Sequence, residues 1–131
     1  MIGLDTNVLV RFLMEDDPEQ YRMAWRLMAG LSASRQGFIC RDVVLELAWV
    51  LERSYRMDRA RIADVLDDLI ASPEVVVEAG EDVASALAAW REGGAGLGDR
   101  MIVAAALRAG ASPVMTFDRK AAGIPGMELL E

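Results

Sequence analysis

Histidine is absent from these 131 residues, and cysteine occurs once, as Cys40. Without an imidazole there is no Ser-His-Asp triad, no Cys-His pair, no histidine general base and no histidine-ligated zinc or iron. A single cysteine makes neither an internal disulfide nor a structural zinc cluster, which suits a reducing compartment. Lysine is nearly missing too: the basic residues are 13 arginines and Lys120. Long apolar runs are also lacking. Stretches such as Met101–Leu107 fall well short of the roughly 18 residues of a membrane span, and Met1–Val10 has no basic leader or cleavage pattern. The expectation is a cytoplasmic chain that meets no membrane. Any catalysis must rest on carboxylates, hydroxyls, arginine, Lys120 or a hard metal held by oxygen.

What is present bounds the fold. The length predicts a single domain, residues 1–131, with room for a real core. The formal charge of −7 argues against a broad electrostatic surface for nucleic acid, but not against a small acidic site that takes a metal first and a phosphate second. A mean hydropathy of +0.21 hints at a surface covered by a partner. Short apolar runs alternate with amphipathic ones. Strands are expected at Met1–Leu4, Gly37–Cys40, Glu74–Val77, Pro113–Thr116 and Met127–Leu130. Helices are expected over Thr6–Met14, from Pro18 behind an Asp17 cap to about Ser32, Asp42–Tyr55, Asp58–Ala71, Glu81–Trp90 and Asp99–Ala109, with a short turn over Arg119–Ala122. That alternation indicates a parallel sheet covered on both faces, in which ligands bind beyond the carboxyl ends of the strands.

Four carboxylates stand where that rule says to look. Asp5 directly follows the first strand; its ordinary role there is a helix cap. Glu46 is the only charge in Val43–Leu51, and a helix so apolar is expected to be buried on most faces, where a carboxylate needs partners or a metal. Arg41 and Arg53 lie five and seven residues from it, off the adjacent i±3 and i±4 positions. Asp99 opens a helix after the glycine-rich Gly93–Gly98 loop and reads equally as a cap. Asp118 ends the fourth strand and reads equally as a turn residue. If the first and fourth strands pair, Asp5 and Asp118 become neighbours. Two unit charges about 4 Å apart repel by roughly 4 kcal/mol at an effective dielectric near 20, so a gathering of such acids calls for a hard divalent cation, Mg²⁺ or Mn²⁺.

At these residues the sequence resembles the PIN-domain family, and within it the VapC-type toxins. The resemblance is carried by Ile2-Gly3-Leu4-Asp5-Thr6-Asn7-Val8-Leu9-Val10-Arg11, Asp16-Asp17-Pro18-Glu19-Gln20, Val44-Leu45-Glu46-Leu47, Asp99-Arg100-Met101-Ile102-Val103-Ala104-Ala105 and Thr116-Phe117-Asp118-Arg119. It extends along the whole chain. It implies a PIN-like three-layer α/β/α sandwich with a short-stranded parallel sheet. It also implies a metal-dependent ribonuclease that works as a homodimer and is silenced by a small antitoxin protein. The family's acidic set maps onto Asp5, Glu46, Asp99 and Asp118, and its polar helpers onto Thr6 or Asn7 and Thr116. The chemistry expected of this set is hydrolysis of RNA by water activated on Mg²⁺ or Mn²⁺. Arg11 and Arg100, each beside a motif, are candidates for phosphate contact, and exposed helical arginines are the plain alternative.

Other readings compete. A receiver domain needs an acid pair at the first strand and a phosphorylatable Asp on the third, but a lone Asp5 and Glu78 stand there. A haloacid-type phosphatase needs an acid two residues after the nucleophile, where Asn7 stands. A non-catalytic binding module on the PIN fold fits better than either, and Mn²⁺ titration separates it from an enzyme.

Overall fold

A computed structural model describes all residues from Met1 to Glu131. Short strands alternate with six α-helices in the expected order. The chain divides into two compact units, Met1–Gly80 and Glu81–Glu131.

The first unit is built on three parallel strands in the order β1-β2-β3: Ile2–Gly3, Gly37–Ile39 and Val75–Val77. Ile2 faces Gly37 in register, and Gly37 in turn faces Val75. Helices α1 (Thr6–Met14) and α2 (Pro18–Ala29) connect the first two strands. Helices α3 (Arg41–Arg53) and α4 (Arg59–Ala71) connect the second to the third. Leu9, Ile39, Leu47, Leu51 and Ile62 are fully buried and fill this core. At Gly37 strand and core approach closely, and any side chain would make Leu4 and Leu31 shift. A Cβ there would lie 2.7 Å from Leu4 Cδ1 and 3.0 Å from Leu31 Cδ1.

Helix α2 starts as read, with Pro18 first and Asp17 Oδ1 accepting from the Gln20 amide at 3.1 Å. It ends at Ala29, not near Ser32. Gly30 closes it, and Ser32 and Arg35 form an antiparallel bridge that turns the chain toward β2. The Arg35 amide there donates to both the carbonyl and the hydroxyl of Ser32, each at 3.1 Å.

The second unit holds α5 (Gly80–Arg91, whose first residue belongs to the first unit), α6 (Leu97–Arg108), and the parallel pair β4 (Val114–Thr116) and β5 (Met127–Leu129), with a single 3₁₀ turn over Ala121–Gly123. Ala95, Val103, Ala121, Ile124 and Met127 make its buried cluster, with Val114 packed against it. Arg108 ties α6 to α5 through two 2.8 Å bonds to the Asp82 carboxylate. Within this unit β4 and β5 pair in parallel, with Val114 opposite Met127 and Thr116 opposite Leu129.

Candidate active site

Asp5 follows β1 and occupies the N-cap of α1, in extended conformation. Its cap is unusual. Oδ1 accepts from the amide of Thr6, the first helical residue, at 2.8 Å, whereas a cap ordinarily serves the second or third. Oδ2 accepts nothing, and the side chain is exposed. Thr6 itself is only 5% exposed, and its hydroxyl has no hydrogen-bond partner. A buried hydroxyl without a partner is costly, on the order of 1–3 kcal/mol. Asn7 is exposed and makes no hydrogen bond.

Glu46 comes to the same place from α3. The expectation that this helix is buried on most faces, and Glu46 with it, is corrected by the structure. Val44, Leu47, Ala48 and Leu51 form one buried stripe at i, i+3, i+4 and i+7. Glu46 and Trp49 fall off that stripe; Glu46 is exposed and Trp49 is 57% exposed. The Arg53 guanidinium sits 5.8 Å from the Trp49 ring centroid, one turn on. The apolar residues around Glu46 thus belong partly to the surface. Glu46 makes no hydrogen bond or ion pair, and its carboxylate is uncommitted for a different reason than burial. Asp5, Thr6, Asn7, Arg11, Glu46 and Tyr55 line one cleft of about 290 Å³ between α1 and α3.

At the rim of this cleft lies a polar network that local sequence patterns did not disclose. Arg11 Nε donates to Gln20 Oε1 at 2.7 Å, and Arg11 Nη1 donates to Asp16 Oδ1 at 3.1 Å. The Tyr55 hydroxyl donates to Asp16 Oδ2 at 2.6 Å. That bond, with help from Arg11, holds the Asp16 carboxyl below its ordinary value of 3.8; the same bond pushes the Tyr55 phenol above 10.0, against an opposing effect of Arg11. Glu15, which closes α1, takes a left-handed conformation (φ 52°) and turns the chain so that Asp16 faces back along α1. Tyr55 stands 39 residues from Asp16, so no local spacing reveals the pair.

In the second unit, α6 begins at Leu97, two residues earlier than read, with Gly96 as its N-cap. Asp99 is therefore not a cap. It is the third helical residue, half-buried and without a hydrogen bond, where the helix dipole favours its charge. The glycines make the earlier start feasible: Gly93 and Gly94 take φ of 103° and 78°, a region that side chains rarely adopt. Arg100 folds back on the same loop. Its Nη2 donates to the Gly93 carbonyl at 3.1 Å, while Nε is buried without a partner.

Asp118, two residues past β4, is exposed and takes the turn role. Oδ1 accepts from the Lys120 amide at 2.8 Å and the Ala121 amide at 3.3 Å. The Thr116 hydroxyl accepts from the Asp118 amide at 3.0 Å, fixing the turn. Oδ2 of Asp118 remains uncommitted.

The first unit thus brings Asp5, Thr6, Asn7, Arg11 and Glu46 together, and the second holds Asp99, Arg100, Thr116 and Asp118. Within neither unit do three acidic or cysteine side chains stand close enough to hold a metal ion by themselves. The donors in the α1–α3 cleft nevertheless suit a hard divalent cation. All are oxygen, two are carboxylates with free lone pairs, and the buried Thr6 hydroxyl lacks a partner.

These features define a class: an α/β protein that presents uncommitted carboxylates just past the carboxyl ends of short parallel strands. The family model of the PIN domain matches residues 2–126, and the chain belongs to the PIN-domain family. That family is in general a nuclease fold whose members typically bind divalent metals, and the α/β architecture accords with it. No curated protein matches the chain. No helix is long and apolar enough to cross a membrane.

Proposed function

We propose that this protein is an Mg²⁺- or Mn²⁺-dependent endoribonuclease, and that it acts as the VapC-type toxin of a toxin–antitoxin pair. The observation that carries the reading is the α1–α3 cleft of a PIN-family chain, with Oδ2 of Asp5 and the Glu46 carboxylate uncommitted beside an unpartnered Thr6 hydroxyl. Asp5 and Glu46 would hold the cation, with Thr6 or Asn7 orienting water in the same cleft. A bound Mg²⁺ or Mn²⁺ supplies a water of lowered pKa and offsets negative charge on the scissile phosphate. Asp99 and Asp118 are assigned to the same metal-binding set on the resemblance of the residues around them, with Thr116 fixing the Asp118 turn.

With no histidine, base and electrophile both fall to carboxylates and cation. A small antitoxin and a second copy of the chain are the proposed partners. Support comes from large apolar side chains in water, among them Met23 at 62% exposed, Trp25 at 52% and Phe117 at 79%. The cytoplasm is the proposed compartment, in keeping with the lone free thiol, Cys40.

Purified protein should cleave RNA with Mg²⁺ or Mn²⁺, stop in EDTA, and lose cleavage as Asp5→Asn by about two orders of magnitude or more. Cleavage that persists in EDTA, or survives Asp5→Asn, sinks the metal mechanism. One rival on the same fold is a non-catalytic binding module. It predicts no carboxylate-dependent uptake in a Mn²⁺ titration.

A further inference from the structure

Arg11 stands in the wall between two clefts. One is the carboxylate cleft with Asp5 and Glu46; the other, of about 350 Å³, opens between α1 and α2 and is lined by Val8, Gln20, Met23 and Leu27. Asn7 and Arg11 line both, and Arg11 is the sole basic residue lining either. Its guanidinium is fastened by Gln20 at Nε and by Asp16 at Nη1, and Asp16 is itself held by the Tyr55 hydroxyl. Two of five N–H donors are thereby used, and three remain. The side chain keeps 34% of its surface in water. A planar fork with free donors, clamped in place at the rim of an acidic cleft, suits a phosphate better than a mobile arginine does. Clamping removes in advance the rotamer freedom that binding would otherwise cost.

We propose that Arg11 anchors a backbone phosphate of an RNA strand that passes from the carboxylate cleft into the α1–α2 cleft, and that Asp16 and Gln20 are positioning residues for it. The proposal rests on the ribonuclease reading for the identity of the strand. Asp16 is the informative member, because two effects of its replacement have opposite signs. Asp16→Asn removes a negative charge near the strand, which by electrostatics alone tightens RNA binding. It also weakens the hold on Arg11, which loosens binding. In this proposal the second effect wins.

The test is fluorescence anisotropy of a labelled single-stranded oligoribonucleotide in EDTA, repeated over a salt series, alongside a cleavage assay in Mn²⁺. Arg11→Ala should weaken binding about tenfold and flatten the slope of log affinity against log salt by about 0.7, the loss of one phosphate contact on a single strand. Arg11→Lys should restore the slope but not the full affinity. Asp16→Asn, nearly isosteric, should weaken binding several-fold. Thermal melts identify any variant that fails to fold, and Arg11→Lys and Asp16→Asn serve if Arg11→Ala does. An unchanged salt slope in Arg11→Ala overturns the anchor. Binding that is tighter or unchanged in Asp16→Asn overturns the positioning role. Cleavage with an Arg11-independent slope leaves the ribonuclease reading standing and removes this one. An Arg11-dependent slope without cleavage does the reverse.

Discussion

The Tyr55–Asp16 bond is short, exposed and strung between two groups that titrate at opposite ends of the pH scale. Its linkage to stability has a definite sign on each side. Asp16 is more acidic folded than unfolded, so its contribution is present above the ordinary carboxyl value of 3.8 and fades as pH falls through the folded value. Tyr55 is less acidic folded than unfolded, so its contribution is present below 10.0 and fades as pH rises through the folded value. Tyr55→Phe removes the largest cause of the Asp16 shift. NMR titration should then find the Asp16 carboxyl moved back toward 3.8, and the acid limb of a melting-temperature profile should become shallower. An unmoved Asp16 titration contradicts the assignment. Individual residues were legible only where their roles are local. The Asp17 cap and the turn alternative for Asp118 are visible in a few letters, since each bonds to an amide two or three residues on. Glu46 stands out in the sequence through an expected burial that it does not have. Tyr55 carried no signal, because its partner lies across the fold.

Elements follow from periodicity more faithfully than site residues do. All six helices and five strands lie within a few residues of where apolar spacing places them, because alternation and capping act over short distances. The departures occur where glycine or a side-chain bond redirects the backbone: α2 stops at Gly30, and α6 starts behind Gly96. Pairing between strands is not local: β1 lies beside β2 and β4 beside β5, and no segment's own spacing announces either pair. Two substitutions probe elements directly. Asp58 Oδ1 caps α4 by accepting the Arg61 amide at 2.9 Å, so Asp58→Ala should cost about 1 kcal/mol in denaturant unfolding. Gly37→Ala should cost about 1–3 kcal/mol, since its Cβ would push buried Leu4 and Leu31 out of packed positions at the middle strand of the first sheet. A Gly37→Ala protein as stable as the original contradicts that packing.

At the scale of the whole molecule, the charge of −7 sits with a family that is in general a nuclease fold. A negative chain attracts RNA only through local features, so the proposed enzyme should bind RNA weakly without metal and more tightly with Mn²⁺ at constant ionic strength. Equal affinity in EDTA and Mn²⁺ contradicts a cation shared between carboxylates and phosphate. The proposed dimer has its own check. Trp25 and Trp49 are exposed while Trp90 is buried, so dilution through a dimer dissociation should red-shift the emission if an exposed tryptophan lies in the interface. Light scattering that finds one chain at all concentrations removes the dimer.

The bond between Arg11 and Gln20 has one more consequence, and it concerns the orientation of an amide. Arginine donates hydrogen bonds and accepts none, so Gln20 must turn its oxygen to Arg11 Nε, leaving its NH₂ group without a partner. Gln20 also lines the α1–α2 cleft, so on that wall its amide keeps both N–H donors and one lone pair of its oxygen. A bond made to steady one arginine thus gives the neighbouring cleft a polarity of its own.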